Sequence, residues 1–231
     1  CSRSNLLEML TGLKESGSSP DVVYVAPNNL PSEKSPSLET KVVNLVGRSD
    51  TGTILLKENQ TITVVIPPVP LILNSDVTML EVSELQRLLS IDRTIAVILL
   101  RLGRYAVSIL EGEKVVKSKT GTRYVKNRHR AGGSSQRRFE RSRDRLVREL
   151  FDKTCQTANE LMPFSSDNLD HIVLGGEKTT IRHFIDRCNY LNRMRHKILD
   201  RRVVVRVPNQ RSLKTVGVEV WKSQITVFKY S

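Results

Sequence analysis

Residues 94–150 read TIAVILLRLGRYAVSILEGEKVVKSKTGTRYVKNRHRAGGSSQRRFERSRDRLVREL, and the reading of this stretch decides the fold. Thr94–Leu100 is almost wholly apolar, the pattern of a strand covered on both faces. Tyr105–Leu110 and Lys114–Ser118 follow at strand length. Gly103 and Glu111-Gly112-Glu113 fall between them as turns, so a three-stranded meander is expected with its first strand central. A loop from Thr120 to about Gln136 comes next. A long helix is expected from Arg137 to about Met162, because Phe139, Leu146, Leu150, Ala158 and Leu161 recur at helical spacing and Pro163 stops it.

Downstream, His171–Leu174 reads as another apolar strand, and Gly175-Gly176 turns the chain into a helix from about Lys178. Ile181, Phe184, Ile185, Cys188, Leu191, Met194 and Ile198 form its stripe. Val203–Val207 and the tail Val216–Phe228 return to strand pattern, with Trp221 read as a packing residue. Upstream, seven of the nine prolines lie before residue 71, which predicts short elements with irregular connections. Asn5–Leu13 reads as a helix carrying Leu6, Leu7, Leu10 and Leu13 on one side, Asp21–Val25 as a strand and Asn28–Thr40 as a loop. Lys41–Val46, Thr53–Leu56 and Gln60–Ile66 have the β-branched content of strands. Pro67-Pro68-Val69-Pro70 forces a stiff extended connection or a packed edge, and Glu81–Leu89 reads as a short helix. The expected class is α/β (α+β): a smaller, mainly β region over residues 1–90, and a domain over 91–231 with a mixed central sheet and flanking helices.

Thirty-seven Lys and Arg against 24 Asp and Glu leave a net charge of +13. Such a balance favours a polyanionic partner. No run of about 18 apolar residues exists, so no membrane-spanning helix is expected and nucleic acid is preferred to a membrane. The opening Cys1-Ser2-Arg3-Ser4 precedes no signal-peptide core and lacks Met, which reads as a trimmed start. The three cysteines are odd in number and show no CxxC spacing. Neither a disulfide nor a zinc site is expected, Cys155 and Cys188 read as core packing, and the simplest compartment is the cytoplasm. No cofactor or metal is implied.

The charge is concentrated. Between Gly121 and Glu149 stand ten Lys and Arg and three acids, a surplus of +7 in 29 residues. Pairs spaced i,i+4 account for part of the helix, but Arg123, Lys126, Arg128 and Arg130 have no acid near them in sequence. Phosphate contact explains them better, with His129 beside them and Arg137, Arg138 and Arg141 continuing the charge onto the helix. In the middle lies Gly132-Gly133-Ser134-Ser135-Gln136. As plain structure it is a loop before a helix, with Ser134 or Ser135 as cap. A nucleotide pocket is disfavoured, because neither GxGxxG nor GK[ST] is present.

Strand–strand–strand, a basic loop, Gly-Gly…Gln and then Arg-Arg-Phe-Glu-Arg-Ser-Arg-Asp-Arg resembles the central catalytic domain of archaeal and eukaryotic class I peptide-chain release factors. The step His171-Ile-Val-Leu-Gly-Gly176 into a helix resembles the same domain. The closer resemblance is to the Vms-like release factors, whose loop has a Gly-x-x-Gln form that Gly133-Ser134-Ser135-Gln136 matches. It covers about residues 91–210 and implies a ribonuclease H-like, release-factor-type sheet. It also implies ester hydrolysis in peptidyl-tRNA on the large ribosomal subunit, with Gln136, Gly132, Gly133, Ser134 and Ser135 as the catalytic loop. Two serines stand before Gln136 where the common release-factor loop has none. Residues 1–90 carry no Asn-Ile-Lys-Ser-type codon-reading motif, so rescue of stalled chains is implied rather than ordinary termination.

Two other readings stay open. The chain could bind ribosomal RNA or tRNA as a non-catalytic adaptor. A metal-dependent ribonuclease needs convergent carboxylates, and Asp92, Glu111 and Asp170 are scattered near strand ends. His171, His183 and His196 read as structural or surface residues, and no protein partner is specified.

Overall fold

The computed structural model describes residues 1–17, 20–28, 46–47, 49–73, 77–125, 134–162, 168–204 and 206–229. The chain divides into two units, Cys1–Asp92 with Val218–Ser231, and Arg93–Gly217.

In the first unit, α1 (Arg3–Glu15) starts where the Ser2 hydroxyl accepts the Asn5 N–H at 3.2 Å, and it buries Leu6 and Leu10. Strands β1 (Asp21–Val25), β2 (Thr53–Glu58), β3 (Thr61–Ile66) and β4 (Val77–Leu80) precede α2 (Val82–Leu89). A last strand, β10 (Gln224–Lys229), completes an antiparallel sheet of order β10-β3-β2-β1-β4. β2 is buried on both faces, Ile54 and Leu56 in one cluster and Leu55 in another. Pro67, Pro68 and Val69 are buried, so the proline stretch is a packed connection. It is held by the Tyr24 hydroxyl, which accepts the Leu71 N–H at 3.2 Å and donates to the Thr51 carbonyl at 3.3 Å. Burial pushes that phenol up to about 12. Trp221 packs as expected, with the Arg3 guanidinium 4.2 Å from its ring centroid. Residues 29–45, most of the expected loop and nearly all of the strand expected at Lys41–Val46, lie outside the described residues; Val46 itself is helical.

The second unit is built on a five-stranded mixed sheet of order β7-β6-β5-β8-β9. β5 (Thr94–Arg101), β6 (Arg104–Glu111) and β7 (Lys114–Thr122) form the meander, while β8 (His171–Gly176) and β9 (Ile198–Val203) run parallel to β5. β5 is central, as its apolar run requires: Ile95 through Leu100 are each 0% exposed. One face is covered by α3 (Ser134–Leu161), α4 (Lys178–Arg187) and α5 (Asn189–Arg193), through Leu150, Phe151, Ala158, Phe184 and Leu191.

Four expectations are corrected, the expected absence of a disulfide among them. The helix expected to run from Lys178 past Met194 is broken. Cys188 has extended backbone (ψ 98), and α5 and a 3-10 turn at Arg195–Lys197 follow it. Cys188 is disulfide-bonded to Cys155 of α3, with Cα atoms 5.6 Å apart. Cys155 lies within α3 and Cys188 at the break between α4 and α5, and only the packing of these elements brings the sulfurs together. Thiol titration of unfolded, unreduced protein should count one thiol, at Cys1, against three after reduction. Reduction should also cost about 2–4 kcal/mol of stability in urea unfolding.

The strand expected at Val203–Val207 is instead β9, pairing Ile172 with Ile198 and Leu174 with Arg202. Val203 is the last paired residue of the β-branched run that suggested the later position, and Val204 is 94% exposed. The tail expected as one strand divides into α6 (Gln210–Val220) and β10. Leu213, Val216 and Val220 are buried at helical spacing, and the Asn209 carboxamide oxygen caps the Ser212 N–H at 2.9 Å.

Candidate nucleic-acid interface

Strand directions bring Arg101, Arg104 and Arg123 to one end of the second unit's sheet. β5, β7, β8 and β9 all finish there and β6 begins there. The β5–β6 turn is Leu102-Gly103, with Gly103 at φ 98, a conformation that favours glycine. The Gly103 carbonyl accepts the Arg123 N–H at 2.9 Å, tying the exit of β7 to the turn. Arg101, Arg104 and Arg123 therefore line one open groove of about 630 Å3 with Leu102, Gly103, Thr122, Tyr124, Val125 and Val207. No acid lines it. The Arg101 guanidinium is held from behind by the carbonyl of Arg206.

The chain leaves this end after Val125. Lys126, Arg128, His129, Arg130, Gly132 and Gly133 lie outside the described residues. It returns as α3, which begins at Ser134, three residues earlier than expected, so Ser134, Ser135 and Gln136 belong to the helix rather than preceding it. The core starts only at Leu150, about 24 Å along the axis. Arg143, Val147 and Phe151 line one depression with Leu102 of the β5–β6 turn. Residues 136–141 are all exposed, Phe139 by half.

Gln136 lies in the first turn of α3, where backbone N–H groups have no intrahelical carbonyl to bind. Its carboxamide donates to Glu140 Oε1 at 3.1 Å, one turn on. No acid stands in this first turn. Arg145 pairs with Glu149 at 3.8 Å, as i,i+4 spacing suggested. Arg137, Arg138 and Arg141 have no acidic partner among the described residues, so their charge adds to the positive end of the helix dipole.

The other glycine step is not an anion site. Gly176 (φ 147) is held so close to the Leu100 carbonyl that a Cβ would overlap it, which explains the glycine. The start of α4 behind it is already occupied. The Glu177 carboxylate accepts the Thr179 N–H at 3.0 Å, the Thr180 N–H at 2.8 Å and the Thr180 hydroxyl at 2.6 Å. These bonds, the hydroxyl's first, hold the carboxyl at about 2, below its ordinary 4.5. A depressed carboxyl stabilises the fold fully above its unfolded value and loses that contribution as pH falls towards its folded one. Thermal melts of Glu177→Gln should therefore fall less steeply than wild type between pH 4.5 and pH 2.

Two of the three carboxylates weighed for metal chemistry have other duties. Asp92 pairs with Arg3 at 2.6 Å, and Asp170 accepts the Thr94 N–H at 2.7 Å. Among the described residues no three His, Cys, Asp or Glu side chains gather as metal ligands. No helix of the described residues is long and apolar enough to cross a membrane.

Sequence reading missed a second basic stretch. Residues 193–214 hold eight Lys and Arg and one acid, a surplus of +7 that includes Arg202 and Arg206 at the end of β9. With residues 121–149 it accounts for the whole net charge, so the remainder of the chain is nearly neutral. The signal was countable. Arg101 and Arg104 flank their turn in plain view, but only the sheet brings them beside Arg123.

The sequence pattern of the Actinobacteria/chloroflexi VLRF1 release factor family matches residues 93–226. Peptide chain release factor subunit 1 of Archaeoglobus fulgidus is 27% identical over 170 residues, 73% of this chain and 40% of that protein. The Thermoplasma acidophilum protein of the same name is 31% identical over 123 residues, 53% of this chain and 27% of its own. The chain thus spans less than half the length of these relatives. Among solved structures, the archaeal translation termination factor aRF1 aligns at TM-score 0.42 and 15% identity, covering 96% of this chain and 73% of that one. The Vms1 mitochondrial localization core aligns at TM-score 0.45 and 14% identity, covering 75% and 76%. The kinship read from the Gly-Gly…Gln loop and the arginine-rich helix behind it is borne out at family level, and the chain belongs to the Actinobacteria/chloroflexi VLRF1 release factor family.

Proposed function

We propose that the chain is a peptidyl-tRNA hydrolase that frees nascent peptides from stalled ribosomal complexes without reading a codon, in the cytoplasm, with the large subunit and peptidyl-tRNA as partners. The observation that carries the reading is Gln136, exposed in the first turn of an acid-free, arginine-rich helix start in a release-factor family member. Gly132 and Gly133, with Ser134 and Ser135 of the same helix turn as Gln136, complete the catalytic segment, and Arg123, Lys126, Arg128, His129, Arg130, Arg137, Arg138 and Arg141 contact RNA phosphate. Codon independence rests on residues 1–90, whose sequence has no Asn-Ile-Lys-Ser-type motif.

The substrate is the ester between the nascent peptide's carboxyl group and the terminal ribose of tRNA. Water adds to the ester carbonyl, the oxyanion collapses, and the ribose oxygen leaves with a proton. Glycines let the backbone enter a crowded RNA site because they carry no Cβ. Gln136 contributes in two ways. Its backbone N–H, unused by the helix, is a donor for the oxyanion. Its carboxamide, with one N–H engaged by Glu140, keeps a carbonyl oxygen and a second N–H to orient the attacking water. Orientation of ester and water by the surrounding RNA supplies much of the remaining acceleration.

The test is release of labelled peptide from ribosomes carrying peptidyl-tRNA, with a sense or a stop codon in the vacant site, and from isolated large subunits. Equal release in all three is expected. Binding without release would replace the hydrolase with the adaptor, and release only at stop codons would refute codon independence.

A further inference from the structure

The groove between Arg101, Arg104 and Arg123 is built where the β5–β6 turn meets the end of β7 and the three residues that follow it. Tyr124 stands at its rim and is 75% exposed, while the next residue, Val125, is partly buried against the core. The backbone under the ring is therefore anchored by its neighbour and by the Arg123 N–H bond to Gly103. Arg104 and Arg123 have no acidic partner among the described residues, and Arg101 is fixed by the Arg206 carbonyl. A large exposed aromatic ring beside unpaired guanidinium groups, in a groove without a carboxylate, is complementary to a nucleotide: the ring offers a stacking face and the arginines meet phosphate.

We propose that this groove is an RNA subsite for an unpaired nucleotide, its base stacked on Tyr124 and its flanking phosphates held by Arg104 and Arg123. The inference rests on the RNA-binding part of the proposed function and not on hydrolysis. An unpaired nucleotide is favoured over a duplex because paired bases are stacked inside their helix and cannot reach a ring at a groove rim.

The experiment is fluorescence anisotropy of the full chain with a labelled single-stranded RNA ten-mer, a ten-base-pair RNA duplex, and polyglutamate as a non-nucleic polyanion. The single strand should bind more tightly than the duplex and resist displacement by polyglutamate. Tyr124→Ala should weaken it by roughly 5- to 150-fold. Tyr124→Phe, which keeps the stacking face, should stay close to wild type and guards against a folding defect. Arg104→Ala should reduce the slope of log affinity against log salt by about 0.7, one phosphate contact. Affinity unchanged in Tyr124→Ala, equal affinity for the duplex, or displacement by polyglutamate would each overturn the subsite. Tyr124-dependent binding in a chain that releases no peptide would overturn the hydrolase reading alone. Release by a chain whose RNA affinity ignores Tyr124 would overturn the subsite alone.

Discussion

Gln136→Ala is expected to slow peptide release by about 10²–10³-fold, the usual cost of losing a donor or water-orienting group at an oxyanion site. Ribosome binding should be nearly unchanged. Gln136 is exposed at the tip of α3 and packs against nothing in the core, so its removal leaves the fold alone. On the proposed reading binding comes from arginines on neighbouring turns, and alanine suits a helix at least as well as glutamine. The alanine variant keeps the backbone N–H, so release should fall without vanishing. That residual separates the two contributions: it measures what the amide N–H and the RNA environment supply without the side chain. A decrease of less than threefold would remove the carboxamide from the mechanism. Loss of binding in step with release would make Gln136 an anchoring residue.

Phe184→Ala is expected to destabilise the second unit by about 3–5 kcal/mol in urea unfolding. Phe184 is 0% exposed, and its ring meets Phe151 edge to face with centroids 5.7 Å apart. The cavity would open where α3 and α4 join the same cluster, and three parallel or antiparallel strands pack beneath it. The nearby Arg187–Asp152 pair, two bonds of 2.7 Å between exposed groups, bridges the same two helices but cannot compensate. Exposed pairs contribute at most about 1 kcal/mol. Release per folded molecule should be unchanged at low temperature, because Phe184 lies about 20 Å or more from the first turn of α3, judged by the helix rise from Ser135 to Phe151. A loss below about 1 kcal/mol would show that α3 and α4 are not packed through these rings.

What could be read along the chain depended on how local the cause was. The meander was legible because β5 alternates with nothing: its unbroken apolar run demands two covered faces, and Gly103 and Gly112 supply the positive φ that its turns need. The helix behind the loop was legible by period, though its start was set three residues late, since serines and glutamine fit a loop as readily as a first turn. The halves of the tail were confused because Val216 and Val220 belong to a helical stripe while also having strand propensity, a weak preference that packing overrides.

By itself the sequence determined the mixed α/β character of the second unit, the kinship with release factors, and the positive charge that favours a polyanionic partner. These follow from composition, period and a short motif, all local along the chain. Only the tertiary structure decided which distant residues meet. It paired Cys155 with Cys188 across two helices, and it carried β10 from the end of the chain to β3. It also gathered Arg101, Arg104, Arg123 and Tyr124 into one groove. Each is a juxtaposition made by strand direction and helix packing between segments far apart in sequence. No local pattern encodes such a meeting, because the free energy that makes it favourable lies in the shared core and not in the residues that meet.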